Sequence, residues 1–347
     1  MSCLLCGGPA KAALELGRQP VSHRFLDKAG GETLHELSVG ECARCGLAQL
    51  VAAPAAEELV VKGWPISYME PEGHLDELAD LLAKGKKGTA AGATYKDASL
   101  VQRLERRGWK RAPAGEKTDL LIARHVLEHP RDPKIFLERL KRRLKPEGRL
   151  VIEAPDSERG FVTGDVSTIW EEHTLYFTEA TLKSSLPAAG WKVEAFERYP
   201  YALEDCLVAV ARPAEPAAPK KKPASGLAKL AAAVPELRRS WQTKIDELRA
   251  GGKVAMLGAG HRGCAFVNYL GLARKIDFVV DDDERKKGKL LPGAQRPVMG
   301  TQALGQAKLC LIAANPDAEP KILDQHRAFT KAGGTFVSIY PGSKAAR

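Results

Sequence analysis

The sequence predicts an α/β chain, in which a small cysteine-paired N-terminal unit is followed by two regions of alternating strands and helices. Three observations carry this. Paired cysteines stand at Cys3/Cys6 and Cys42/Cys45. Short apolar runs alternate with helix-length amphipathic stretches around Asp119–Glu153 and again over Lys253–Tyr340, the signature of parallel sheets covered by helices. Hydrophobic residues make up 44% and charged residues 28% of 347 residues, enough apolar material for more than one core.

Residues 1–60 are rich in Gly and Cys and hold strand-like runs at Thr33–Val39 and Leu47–Val51, so they form a small separate subdomain. A helix over Leu75–Leu82 leads into the central region, 61–212. Its best strands are Asp119–Ala123 and Arg149–Glu153, with a helix over Lys134–Leu144 between them. Trp191–Arg198 and Asp205–Arg212 read as two more strands. A linker, 213–226, contains Pro213, Pro216, Pro219 and Pro223 and three successive lysines, a composition that buries no core. The last domain, 227–347, opens with a helix from about Leu227 to Ala250 that Pro235 should interrupt. Strands at KVAML, KIDFVV, KLCLIAA and TFVSIY then alternate with helices.

Lys+Arg 53 against Asp+Glu 43 gives a net charge of +10, which favours anionic ligands. Much of the excess is local, in Lys220–Lys222 and in Lys141, Arg142, Arg143 and Lys145, so nucleic acid is not the expected partner. No apolar run reaches the length of a membrane span, and the N-terminus lacks the pattern of a signal peptide. An odd count of seven cysteines fits reduced thiols in a cytoplasmic protein. Oligomeric state is not readable.

Each Cys-x-x-Cys pair places two thiolates on one metal ion. Cys3, Cys6, Cys42 and Cys45 together complete a tetrahedral sulfur site with no open position, and a closed site of this kind is structural zinc.

In the central region the strand DLLIA runs into Arg124-His125-Val126-Leu127-Glu128-His129. A helix and the turn Leu144-Lys145-Pro146-Glu147-Gly148 then lead into RLVIEAPD. This order resembles the second half of a class I S-adenosylmethionine (SAM) methyltransferase, a Rossmann-like sheet whose ligand lies at the strand carboxyl ends. Ser167–His173 followed by Leu175-Tyr176-Phe177-Thr178 resembles a segment of the sugar C-methyltransferases, which methylate nucleotide-linked 4-keto-6-deoxysugars. The likeness extends along the whole chain, because that family has a four-cysteine zinc domain, a methyltransferase domain and a second Rossmann-like domain. Here the last part carries Gly258-Ala259-Gly260-His261-Arg262-Gly263, then Asp281, then Gly288–Gly293, each similar to the family's C-terminal domain.

The resemblance implies a base that removes the proton alpha to a ketone before carbon attacks the methyl group. His173 is the candidate base, Glu172 the carboxylate that orients it, and His129 the stabiliser of the enolate oxygen. The family's tyrosine at position 170 is Trp170 here, which donates one hydrogen bond but exchanges no proton; Tyr68 is the candidate phenol. The implied substrate is a sugar nucleotide, TDP- or GDP-linked.

The SAM half departs from the pattern. Gly92 and Asp97 stand where a glycine-rich turn is expected, with Arg124 and His125 at the next strand end as the other cofactor candidates. Only nine residues separate Gly108 from Thr118, where a further strand, helix and strand normally fit. About one βα unit is missing, and with it the acidic residue that holds the ribose. Three readings follow: a C-methyltransferase with a shortened SAM pocket, a family member that has lost SAM and binds or isomerises a sugar nucleotide, and an NAD-dependent oxidoreductase. The third rests on Gly258, Gly260 and Gly263 with Asp281, which fit the dinucleotide fingerprint. The resemblance instead gives Gly258, Gly260, His261, Arg262, Gly263 and Asp281 to the diphosphate of a sugar nucleotide, held at a helix N-terminus.

Overall fold

A computed structural model describes residues 1–60, 70–85, 87–218 and 222–346. The N-terminal strands are β1 (Ala10–Gln19), β2 (His35–Cys42) and β3 (Ala48–Ala52). The sequence reading missed β1. Its buried residues follow no strict alternation, because the β1–β2 pairing contains two register shifts. Helix α1 (Leu75–Leu82) lies where expected and buries Leu75, Leu78, Ala79 and Leu82, one helical stripe.

The central sheet is built from β4 (Thr89–Gly92), α2 (Ala98–Arg106), β5 (Lys110–Arg111), β6 (Thr118–Arg124), α3 (Pro133–Arg142) and β7 (Leu144–Pro155). After α4 (Glu158–Thr163), β8 (Leu175–Tyr176) and α5 (Glu179–Ala188), it ends in β9 (Trp191–Tyr199) and β10 (Cys206–Pro213). The strand order is β5-β4-β6-β7-β10-β9, with β10 antiparallel to both of its neighbours, β7 and β9. The chain passes from the two-residue edge strand β5 straight to β6, so the shortened interval leaves the sheet with six strands. Lys145–Gly148, expected as a turn, belongs to β7: Thr118 pairs with Leu144 and Leu120 with Arg149, so the extra residues form a bulge. Strand β8 crosses to the N-terminal sheet and pairs with β3, giving the order β1-β2-β3-β8.

Helix α6 (Leu227–Leu248) is unbroken at Pro235, contrary to the sequence expectation. Leu227, Leu230, Val234 and Ile245 are buried along it, and this packing holds the helix past a residue that withholds one hydrogen bond. The C-terminal domain adds β11 (Lys253–Leu257), α7 (His261–Tyr269), β12 (Phe278–Val280), β13 (Val298–Met299), β14 (Ala307–Ile312), α8 (Glu319–Gln325), α9 (Arg327–Lys331) and β15 (Thr335–Ser338). Its sheet is wholly parallel, β13-β12-β11-β14-β15, as predicted.

One core runs through the N-terminal sheet (Leu14, Val39), the central segment (Phe161, Ile169, Tyr176), α6 and the C-terminal sheet. Leu26 and Leu290 exchange backbone hydrogen bonds of 3.1 and 2.8 Å, so the Gly288–Gly293 loop is a docking place for the N-terminal unit. Among the described residues no helix is long and apolar enough to cross a membrane.

Candidate metal centre and active-site cleft

The four paired cysteines converge. Cys3 and Cys6 sit in the first turn of the chain, Cys42 and Cys45 in the turn between β2 and β3. The Cys3–Cys45 and Cys6–Cys42 sulfurs are 3.7 and 3.4 Å apart, and all four lie within 4.8 Å of one another. Sulfurs about 3.8 Å apart are what a tetrahedral zinc with bonds of about 2.3 Å requires. Backbone N–H groups of Gly8, Arg44 and Cys45 donate to the Cys6 and Cys42 sulfurs at 3.3–3.4 Å. Gly46 closes the second turn at φ 73°, and a Cβ there would lie 2.2 Å from the Pro223 carbonyl oxygen. The donor set and its spacing fit a structural zinc ion.

The second site is a cleft of about 330 Å³ between the central and C-terminal domains. Strand β6 ends at Arg124, and the chain then turns sharply at His125, which lines the cleft and whose φ of 46° is unusual for a non-glycine residue. Two segments are zipped together just beyond it. Thr174 N donates to the Glu128 carbonyl at 2.6 Å, and the Thr174 hydroxyl donates to the carbonyls of Glu128 (2.9 Å) and Pro130 (2.8 Å). That fastening brings the His129 and His173 rings to 4.8 Å, with Trp170 4.8 Å from His173. From the other domain, His261 at the start of α7 stacks on Trp170 at 4.5 Å. Arg262 donates to Asp165 (3.2 Å) and Glu204 (2.8 Å), fastening α7 to the central domain.

Electrostatics differ between the imidazoles. Burial, reinforced by His129, His261 and Arg262, pushes His173 well below the ordinary histidine value, so it is a neutral acceptor near pH 7. Burial and the adjacent Arg262 push His261 down to about 3. Burial also raises the Glu128 carboxyl above its usual range. Glu172 is placed differently from expectation: its carboxylate lies 2.9 Å from His23 Nδ1, in the N-terminal unit, while its carbonyl faces His129 Nδ1 at 3.2 Å. Ser22 N donates to Glu171 at 2.6 Å. Tyr68 lies outside the described residues.

The four cofactor candidates also come together, at the carboxyl ends of β4 and β6, but their polar groups are engaged by protein partners, Thr94 and Glu153 above all. Asp97 accepts from Thr94 N (2.7 Å) and Arg124 N (2.8 Å), bracing the turn after β4. A Cβ on Gly92 would lie 2.7 Å from that of Asp97. Arg124, fully buried, donates to Glu153 at 2.7 and 3.1 Å and to the Pro71 carbonyl at 2.8 Å. His125 lies 2.7 Å from Glu153, and His74, held by Tyr201, lies 3.3 Å from its other oxygen. Burial alone would raise Glu153; hydrogen bonds from His125, His74 and Arg124 overcome it and hold the carboxyl below its usual range. The sequence reading missed Glu153, although an acid inside the apolar strand RLVIEAP was its signal. His74, Glu70 and Lys96 carried no such signal.

Beside this network lies a cavity of about 530 Å³ lined by Glu70, Glu72, Tyr95, Lys96, Ser99 and Arg124. Carboxylates and cations on one cavity suit the zwitterionic end of an amino-acid-derived cofactor. The other end departs from the usual arrangement, since Arg111 and Ala112, not an acid, stand at the end of β5. In the C-terminal domain, Asp281 accepts from Ala259 N (2.8 Å), Asp283 N (2.9 Å) and Lys286 (3.0 Å). It therefore braces the Gly258–Gly260 turn, and the NAD reading loses its free ribose acceptor.

Residues 3–59 match the family of a zinc binding domain, residues 48–195 that of a methyltransferase domain, and residues 208–341 that of the C-methyltransferase C-terminal domain. The chain is 25% identical to the C-methyltransferase NovU of Streptomyces niveus over 401 aligned positions, covering 98% of this chain and 95% of the relative. The alignment is longer than the 347 residues of this chain, so the relative carries segments that are missing here. Among solved structures, a DhpI–SAH complex is 17% identical, covering 40% of this chain and 83% of its own, with a TM-score of 0.27. The N1-methyltransferase for 1,6-didemethyltoxoflavin from Burkholderia thailandensis is 19% identical, covering 41% and 78%, with a TM-score of 0.30. Three domain families matched in order from residue 3 to residue 341, with a relative colinear over nearly the whole chain, make this protein a methyltransferase that is similar, in its zinc-binding, methyltransferase and C-terminal domains alike, to the C-methyltransferases.

Proposed function

We propose that the protein methylates, with SAM, the carbon beside a ketone in a nucleotide-linked keto-deoxysugar. The observation that carries this reading is the convergence of His129, Trp170 and His173 with the first turn of α7 on one cleft. The cleft adjoins the cavity at the strand ends, since Glu70 and Lys96 line both.

SAM, when bound, supplies an electrophilic methyl group; Glu70, Glu72 and Lys96 are the residues that would hold it. His173, neutral and half-buried, takes the proton alpha to the carbonyl, and the electron pair moves onto the carbonyl oxygen. His129 Nδ1 donates to the Glu172 carbonyl, leaving Nε2, when protonated, to donate to that oxygen. The N–H groups of Gly260, His261 and Arg262 take the diphosphate, while Trp170 and His261 form a flat stacked wall beside the sugar.

A second reading is favoured by one observation: the polar groups of Gly92, Asp97, Arg124 and His125 are already taken by other protein groups, Arg143, Thr94 and Glu153 among them. A chain that binds and enolises a sugar nucleotide without SAM would need the same two histidines. One experiment separates the readings. The protein is incubated in D₂O with SAM and a TDP- or GDP-linked 4-keto-6-deoxysugar, and the sugar is analysed by mass spectrometry. Methyl gain supports the first reading. Deuterium uptake at the alpha carbon without methyl gain, and without heat on titration with S-adenosylhomocysteine, supports the second. Neither change overturns both.

A further inference from the structure

We propose that Glu128, His129 and His173 bind one divalent transition-metal ion on the cleft floor, distinct from the four-thiol zinc, and that this ion competes with proton transfer. One carboxylate oxygen and one ring nitrogen from each histidine lie within 4.8 Å of one another. Drawing them in by about 1 Å reaches bond lengths of about 2.0–2.2 Å.

Three further observations point to a cation. Glu128 is 1% exposed, and its Oε2 has no hydrogen-bond partner, a costly state for a buried carboxylate. Its Oε1 faces His129 Nε2 at 4.0 Å and His125 Nδ1 at 3.8 Å, both beyond hydrogen-bond range. His129 Nδ1 donates to a backbone carbonyl at 3.2 Å, the arrangement that fixes a metal-binding histidine and leaves its Nε2 lone pair for the ion. The cleft therefore presents a carboxylate oxygen and two imidazole nitrogens, all acceptors, to one another. The neighbouring cations are already compensated: Arg262 by Asp165 and Glu204, Lys96 by Glu70, Arg124 by Glu153.

Two imidazoles and one carboxylate suit Zn²⁺, Co²⁺ or Ni²⁺ and not Mg²⁺, which prefers oxygen ligands. The ion uses the lone pair with which His173 takes a proton, so occupancy and turnover exclude each other. That kinetic consequence rests on the function proposed above; binding itself does not.

The test is calorimetric titration of the full-length, zinc-replete protein with ZnCl₂, with MgCl₂ as control, and metal analysis of the gel-filtered product. We expect one further zinc per chain and no heat from Mg²⁺. Glu128→Gln and, separately, His173→Asn should each weaken the second site at least tenfold while the first zinc is retained. Co²⁺ added to zinc-replete protein should give ligand-field bands without thiolate charge-transfer intensity. A single zinc per chain at millimolar free metal overturns the proposal. So does a second ion whose affinity is unchanged in both variants, which would place it elsewhere. These readouts need no turnover, so they fail or succeed independently of the methyl-transfer reading.

Discussion

Glu153 is the charge around which the strand ends are arranged. It is fully buried and answers Arg124, His125 and His74 at once. Replacing it by Gln leaves Arg124 buried without its counter-ion, and we expect a loss of about 3–5 kcal/mol, read as a fall in the denaturation midpoint. The same residue sets a pH dependence. Its folded-state pKa lies below the unfolded value of about 4.3, so its contribution is complete above that value and lost as pH falls below it. Stability of the parent protein should decline from about pH 5 downward, with a shallower decline in Glu153→Gln; equal slopes would remove Glu153 from the account. His173 makes the other residue-scale prediction. His173→Ala should slow turnover of the sugar nucleotide 10²–10⁴-fold, the usual worth of a general base, at unchanged thermal stability. Parent-like turnover would reject the assignment.

Helix α6 shows what an element keeps when local chemistry argues against it. Pro235 is exposed, in the helix interior, with no N–H to give. The buried stripe on the opposite face outweighs that loss. Pro235→Ala restores the hydrogen bond, and against the greater freedom it gives the unfolded chain we expect a net gain of about 1–2 kcal/mol in stability. Equilibrium urea denaturation measures it; a loss would show that the backbone here has settled around the ring. Strand β5 is the opposite case, an edge of two exposed residues, Lys110 and Arg111. Its brevity and charge protect an open edge, and its shortness is also what leaves the cofactor end without an acid.

At the scale of the molecule, the zinc-bound unit contributes no described residue to the cleft lining but braces the segment that carries His173. Ser22 and His23, between β1 and β2, hold Glu171 and Glu172 from behind the two histidines, and β8 adds itself to the N-terminal sheet. Removing zinc should therefore be felt at the cleft. With the metal stripped by chelator, or in Cys3→Ser, we expect faster amide hydrogen exchange at residues 171–176 along with a lower melting temperature. Exchange confined to residues 1–52 would show that the domains unfold independently.

The sequence by itself determined the four thiols, the order of three domains, the parallel C-terminal sheet and the shortening before β6. Each rests on spacing along the chain, and spacing is a local property. It also named His129 and His173, because they stand in short motifs next to strong strands. Only the tertiary structure decided what those motifs face. Glu172 adjoins His173 in sequence, yet its carboxylate points to His23, nearly 150 positions away. Asp97 and Arg124 stood as cofactor ligands on position alone; a buried charge must find a counter-charge or hydrogen bonds, and the nearest were Thr94 and Glu153. Pro235 predicted a break that packing refused, and Asp281, the ribose acceptor of the oxidoreductase reading alone, accepts from the Ala259 amide. Thr94 apart, the deciding partner comes from another element of the fold, and burial makes the choice of partner count for several kcal/mol.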